Sequence, residues 1–380
     1  MRETKPGTWE LRVSLGRDPV TGRLRQRSRT FHGGKRAATT ELNRLVAATA
    51  DHRSPDSSSS VAYALDEWYR YTTADLSPTT AYEYRRLIDR LIVPELGKIP
   101  LGELTGRRID QFYRRLSSPV DDGGRNLSPM SVQHVHSLLR RALNQAVKWE
   151  WIDQNPCRRA TPPRLLHSEV APPELAVLWQ IVDEAQRQDP QLATLFLVAA
   201  GIGARRSELI ALRWGDVDFE RAVVHIRRGV VKVNGSPMVE KLPKTHAVRS
   251  VELDALTLEL LARHRESMVE RARLFEVLYD PAAFVFSPVP SGREPLRPER
   301  ATRAFARIRD KVGARSSIRL HDLRHLNASM LIAEGVPITE VSKRLGHSLT
   351  STTQNIYGHR VPGKRGDGPG AIERAMRRPD

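Results

Sequence analysis

The sequence holds one cysteine, Cys157, so it can form neither an intrachain disulfide nor a cysteine-built metal site. That usage fits a reducing cytoplasm. Long apolar runs are also missing. No window approaches roughly 18 consecutive apolar residues, so a membrane-spanning helix is not expected. Met1 to Glu10 carries no apolar stretch, so a signal peptide is not expected either. No internal repeat is visible. Acidic charge is short: 44 Asp and Glu face 61 Lys and Arg, a formal net charge of +17. The sequence pI is about 10.5. A balance that basic points to a polyanionic partner, DNA or RNA being the commonest, rather than to a merely solvated surface.

What is present is enough for ordinary packed cores, with 39% hydrophobic residues. At roughly 100–200 residues per domain, the 380 residues suggest two or three domains. The expected fold class is multidomain α+β. Residues 1–53 read as a small three-stranded sheet plus a helix. Trp9, Leu11, Val13 and Leu15 alternate as in a strand, a turn follows through Gly22, and Lys35 to Ala50 has helical spacing. This segment has 12 Lys or Arg against 5 Asp or Glu, a net +7. Arg23, Arg25, Arg27 and Arg29 recur at period two, so their guanidinium groups share one face. Such a face suits a DNA groove; the alternative is a solvated edge strand guarded by charge.

Residues 54–60, rich in serine, read as a linker. Residues 61–162 read as all-helical. Ser77-Pro78 and Ser128-Pro129 each open a helix, and the second carries Val132, Val135, Leu138, Leu139, Ala142, Leu143 and Ala146 at core spacing. Its other side offers His134, Arg140, Arg141 and Lys148, which either touch phosphate or are simply wet. Residues 163–173, with Pro162, Pro163, Pro172 and Pro173 at the ends, read as a second linker. Residues 174–380 read as mainly α with a small antiparallel sheet, its hairpin marked by Asn234-Gly235, and a C-terminal tail.

Four stretches of this last segment carry chemistry. Gly203-Ala204-Arg205-Arg206-Ser207-Glu208-Leu209 follows an apolar helix. Pro243-Lys244-Thr245 sits at a strand end and is followed by Arg249. His321 and Arg324 lie one helical turn apart in His-Asp-Leu-Arg-His. Leu345-Gly346-His347 precedes Tyr357 by ten residues. Breaking a phosphodiester without a metal needs groups of these kinds. Arginine forks neutralise charge on the non-bridging oxygens. A tyrosine, with a reference pKa of about 10, needs a base or proton-accepting network to attack near neutrality. The leaving 5′-oxygen needs a general acid. The phosphotyrosine ester conserves bond energy, so rejoining needs no ATP. A metal cluster of His321, Asp322, His325 and His347 is disfavoured, because two arginines beside it repel a cation; no metal or other cofactor is expected.

The four stretches resemble the signature of the tyrosine recombinase family, the phage-integrase type. Its Gly-x-Arg-x-x-Glu-Leu, hairpin lysine, His-x-x-Arg, Leu-Gly-His and tyrosine ten residues after the histidine are matched in order. The resemblance implies that Arg205 and Arg324 bind the scissile phosphate and that Lys244 protonates the leaving oxygen. His321 acts as base or proton shuttle, His347 bonds a phosphate oxygen, and Tyr357 forms a 3′-phosphotyrosine. Glu208 supports the loop that presents Arg205. Arg206 competes with Arg205, and Lys241 with Lys244; the Glu-Leu spacing favours Arg205. Ser77 through Tyr84, Leu96-Gly97 and Leu104-Thr105 resemble the core-binding domain. Gly22 through Phe31 and the helix after it resemble the arm-binding domain, more loosely.

By the same resemblance, the chain is expected to be a site-specific recombinase that exchanges strands through a Holliday junction, for integration or excision of a viral genome or mobile element. Its partners would be double-stranded DNA at core and arm attachment sites, a homo-tetramer on that DNA, and DNA-bending or directionality proteins, with no membrane. The location would be the nucleoid of a bacterial host. Ala371 to Met376 would pack on a neighbouring protomer. The rivals are a type IB topoisomerase, which the basic first segment and the His-to-Tyr spacing oppose, and a DNA-binding regulator with a vestigial site, which the intact catalytic positions oppose.

Overall fold

The computed structural model describes residues 1–17, 24–50, 59–165, 172–233, 236–241, 248–280, 282–346, 372 and 376; at 15–17, 24–27 and 45–50 the backbone alone is described. The chain divides into two compact units, Met1–His167 and Ser168–Asp380.

The first unit opens with strands β1 (Arg2–Lys5), β2 (Thr8–Arg17) and β3 (Leu24–His32), antiparallel in the order β1-β2-β3. Helix α1 (Lys35–Ala50) covers one face of this sheet. Trp9, Leu11 and Ala38 are buried between them, with Phe31 and Leu42 packed alongside. The Trp9 indole nitrogen donates to the Gly33 carbonyl at 3.0 Å, so the ring is both buried and satisfied.

An all-helical set follows: α2 (Val61–Thr73), α3 (Pro78–Leu87), a π-helical turn (Ile88–Ile92) running into α4 (Val93–Leu96), α5 (Gly106–Ser117) and α6 (Pro129–Lys148). Helix starts follow the sequence. Ser77 Oγ accepts from the Thr80 N–H, and Ser128 Oγ from the Ser131 N–H, each with proline at the first helical position. The core holds the α6 stripe together with Trp68, Ile109, Phe112 and Leu116. Two serines expected in the linker belong to this body instead. Ser59 and Ser60 are buried, the Ser59 carbonyl accepts from Leu101, and Ser60 Oγ caps α2. Their composition suggests flexibility, but a capping hydroxyl and a paired carbonyl are structural uses of serine.

In the second unit, α7 (Leu175–Gln188) and α8 (Pro190–Ile202) pack together, and α9 (Arg206–Ile210) follows a sharp bend. Eleven of the thirteen residues of α8 are buried, as suits a helix apolar all round. Strands β4 (Val217–Asp218) and β5 (Val223–Ile226) begin a sheet; β6 (Gly229–Lys232) and β7 (Met238–Lys241) form a hairpin; β8 (Arg249–Glu252) returns to β5. One small sheet is the expectation from sequence, and the described residues form two. β5 takes β8 as its partner through Val223↔Glu252 to Ile226↔Arg249, leaving β6 and β7 to pair with each other. Helices α10 (Ala255–Leu274), α11 (Pro298–Lys311), α12 (Asp322–Ala333) and α13 (Ile338–Leu345) follow. Phe196 of α8 meets Phe305 of α11 edge to face at 5.1 Å, both fully buried.

Ile372 and Met376 are fully buried in this unit's own core. Within the single chain, these described apolar side chains of the Ala371 to Met376 segment are covered. No helix among the described residues is long and apolar enough to cross a membrane.

Candidate active site

The site grows from the C-terminal end of α8. Gly203 ends that helix in the left-handed conformation, φ +63°, which glycine adopts without a Cβ penalty. The bend sends Arg205 out as the extended capping residue just before α9. Glu208 reaches back: its Oε2 accepts from the Arg205 backbone N–H at 2.9 Å and its Oε1 from Arg205 Nη1 at 2.9 Å. Arg205 Nη2 donates to the Gly346 carbonyl at 3.0 Å. Adjacent Arg206 takes another course and donates to Thr302 Oγ1 of α11 at 2.7 Å.

Glu208 is almost completely buried, yet it is ionised. Burial works to raise its pKa, but hydrogen bonds and charge from Arg249, then Arg205, outweigh it and hold the carboxyl at about 2.

Arg324, in the first turn of α12, is buried, and its Nη1 donates to the Gly203 carbonyl at 2.8 Å. The same helix supplies Asn327, whose Nδ2 donates to the carbonyls of Ala200 at 2.7 Å and Gly201 at 2.8 Å. Arg344 Nη2 donates to the Gly201 carbonyl at 3.1 Å. The last carbonyls of α8 thus face two guanidinium groups and an amide. Cations at a helix C-terminus meet the negative end of its dipole.

His321 stands just before α12, and its backbone carbonyl accepts the Arg324 N–H at 3.1 Å. Asp322 fixes the approach by accepting the Arg319 N–H at 2.8 Å. The His321 ring is open to solvent on one side and meets the His325 ring edge-on at 5.4 Å on another. Partial burial, then the nearby His325, Arg324 and Arg319, hold its pKa down to about 4, with Asp322 pulling the other way. The imidazole is neutral at pH 7.

The structure therefore brings Arg205, Glu208 and Arg324 to one loop and sets His321 one turn from Arg324. Lys244, His347 and Tyr357 lie outside the described residues, as do Arg23 and the Asn234-Gly235 turn. Lys241 ends β7. Arg249, Asn327 and Arg344 belong to the same network, although the sequence reading assigned them no role. Arg249 could have been singled out by its place after Pro-Lys-Thr; nothing in the local pattern marks Asn327.

The other basic residues are dispersed. Arg29 stands opposite Leu11 in the β2–β3 register, so both side chains leave the sheet on the side that α1 covers. Its Nη1 meets Glu41 of α1 at 2.8 Å. Arg29 thus has an anion within the fold. Arg25 and Arg27 lie in β3, where the backbone alone is described. Arg140 and Arg141 are exposed on α6, and Arg141 donates to the Tyr84 hydroxyl at 2.5 Å.

Comparison with known proteins places the whole chain. The phage integrase family pattern matches residues 171–363, half of the chain, and the phage integrase N-terminal SAM-like domain matches residues 61–117. The chain belongs to the phage integrase family. It is a site-specific DNA recombinase of the tyrosine type. The ICEBs1 integrase of Bacillus subtilis (strain 168) is 26% identical over 376 residues, 96% of each chain. A putative prophage phiRv2 integrase of Mycobacterium tuberculosis is 29% identical over 288 residues, 75% of this chain and 71% of that one. The fold is shared with a Tn1549 transposon integrase in complex with transposon right end DNA, at TM-score 0.66 and 20% identity, covering 78% of this chain and 94% of that one. A lambda integrase tetramer bound to a Holliday junction matches at TM-score 0.60 and 18% identity, covering 94% and 97%.

Proposed function

We propose that this recombinase cuts and rejoins DNA through Tyr357, with Arg205 and Arg324 holding the scissile phosphate. The observation that carries this reading is the loop itself. Arg324 is tied to the Gly203 carbonyl, and Arg205 leaves the same loop two residues later with its backbone held by Glu208. Two guanidinium groups fixed to one short segment form a preorganised site for an anion, and such sites stabilise charge developing in a transition state. His321, held neutral, is in the right state to accept the tyrosine proton. Lys244 is assigned the protonation of the leaving 5′-oxygen, and His347 a hydrogen bond to a phosphate oxygen. The product of the first step is a 3′-phosphotyrosine, which a 5′-hydroxyl reverses without an energy source.

Residues 61–162 and 174–380 are assigned to the core site, with Arg140 and Arg141 on the exposed side of α6 as phosphate contacts. Residues 1–53 are assigned to arm sites. The lambda integrase of the same fold is bound as a tetramer to a Holliday junction, which supports four protomers here. DNA-bending and directionality proteins are further partners in this reading, acting in a bacterial nucleoid.

The test is a nicked suicide duplex carrying the core sequence that the full chain selects from random DNA. The wild type is expected to form a covalent complex and Tyr357→Phe none. Arg205→Ala and Arg324→Ala should slow the reaction roughly 10²-fold or more while duplex binding persists. A covalent complex that survives in Tyr357→Phe removes the assignment of the nucleophile.

A further inference from the structure

We infer that Arg249 is a positioning residue for cleavage, balancing the charge of Glu208 so that Arg205 keeps its own charge for the phosphate. This rests on the reading of Arg205 as a phosphate ligand. Arg249 opens β8, far in sequence from the other members of the site, and its side chain is only 10% exposed. Its fork closes on one carboxylate: Nη2 donates to Glu208 Oε2 at 2.6 Å and Nη1 to Oε1 at 3.2 Å. The remaining nitrogen, Nε, donates to the Arg344 carbonyl at 2.9 Å.

Two guanidinium groups thus share one carboxylate, and one positive charge is left over. Alone with Glu208, Arg205 would sit in a closed ion pair with its charge cancelled at contact distance. The bidentate fork of Arg249 is the stronger claim on that carboxylate, and Arg205 keeps only a single side-chain contact with it. The excess charge is what a phosphate feels, and it counts most where water is scarce.

Arg249 also lies against Gly346, the last described residue of α13's end. Gly346 is left-handed, φ +67°, and a Cβ there would lie 2.9 Å from Arg249 Nη1. The guanidinium therefore lies against the Gly346 backbone, whose carbonyl receives Arg205 at 3.0 Å. One side chain joins the loop of Arg205 to the end of α13.

The experiment uses the full chain and the same nicked duplex, with the rate of covalent complex formation, duplex binding and thermal unfolding read together. Arg249→Gln should slow the covalent step roughly 10²-fold with binding retained, as expected when a catalytic group is misplaced. The double variant Glu208→Gln with Arg249→Gln removes the carboxylate that Arg249 balances, and it should recover roughly tenfold or more of that loss. A role in packing alone predicts no recovery. Arg249→Gln cleaving at the wild-type rate, or the double variant cleaving no faster than Arg249→Gln, overturns the inference. If Arg249→Gln does not fold, the double variant decides: folded and cleaving supports the inference, while unfolded, or folded and as slow as Arg205→Ala, overturns it. Absence of any covalent complex in the wild type would instead remove the Tyr357 reading.

Discussion

Arg324 donates to the Gly203 carbonyl at 2.8 Å across 121 residues of chain. The contact makes the end of α8 and the start of α12 a single support. Residue 203 itself is left-handed, φ +63°, a conformation that favours glycine.

Replacing Gly203 by alanine should therefore be costly twice. An L-residue in this conformation loses roughly 1–2 kcal/mol. The new Cβ would also lie 2.6 Å from Asn327 Oδ1 and 2.7 Å from Leu345 Cδ2. Urea unfolding should show a loss of about 2 kcal/mol or more, and cleavage should slow more than duplex binding weakens. An unchanged unfolding midpoint would contradict the account of this loop.

Acid should weaken the fold before its carboxylates titrate. His264, His321 and His325 all have pKa values below the ordinary histidine value of 6.5, with burial as the largest cause. Between those lowered values and 6.5, the unfolded chain binds protons that the folded chain refuses. Stability therefore rises with pH across that window and falls as pH drops from about 7 toward 5. Glu208 acts in the same direction at lower pH, its contribution being lost as pH falls from 4.5 toward about 2. Denaturant unfolding at pH 7.5 and 5.5 tests this. His264→Gln should show a smaller drop between them than the wild type; an equal drop would remove His264 from the explanation.

Deleting residues 1–53 should abolish binding to arm-type DNA and leave core cleavage near the wild-type rate. The β1–β3 sheet and α1 have their own buried cluster of Trp9, Leu11 and Ala38, separate from the cluster of the helical set. Gel shifts on arm and core duplexes, with the suicide-substrate assay alongside, report both halves. Loss of core cleavage on deletion would show that this segment acts in the reaction itself.

Much of this was legible in the chain. Ser-Pro pairs marked the starts of α3 and α6 because a capping hydroxyl and a preset proline φ act within a few residues. The α6 core stripe was legible because helical periodicity is local. His321 and Arg324 could be placed one turn apart for the same reason. The pairing of β5 with β8 was not legible, since strand partners are chosen by packing rather than by neighbours in sequence. Ser59 and Ser60 were misjudged because composition does not tell a wet serine from a capping one.

The sequence by itself determined the chemistry available: the arginines, the histidines, Lys244 and Tyr357 in their order, and the family to which that order belongs. Only the tertiary structure decided how charge is distributed among them. Glu208 meets Arg249 across 41 residues, and Arg205 meets the Gly346 carbonyl across 141. Arg29 finds its anion on the helix that packs over it. Side-chain types and spacings are written locally, whereas the partner of a buried charge is whichever group the packed core brings within hydrogen-bond reach.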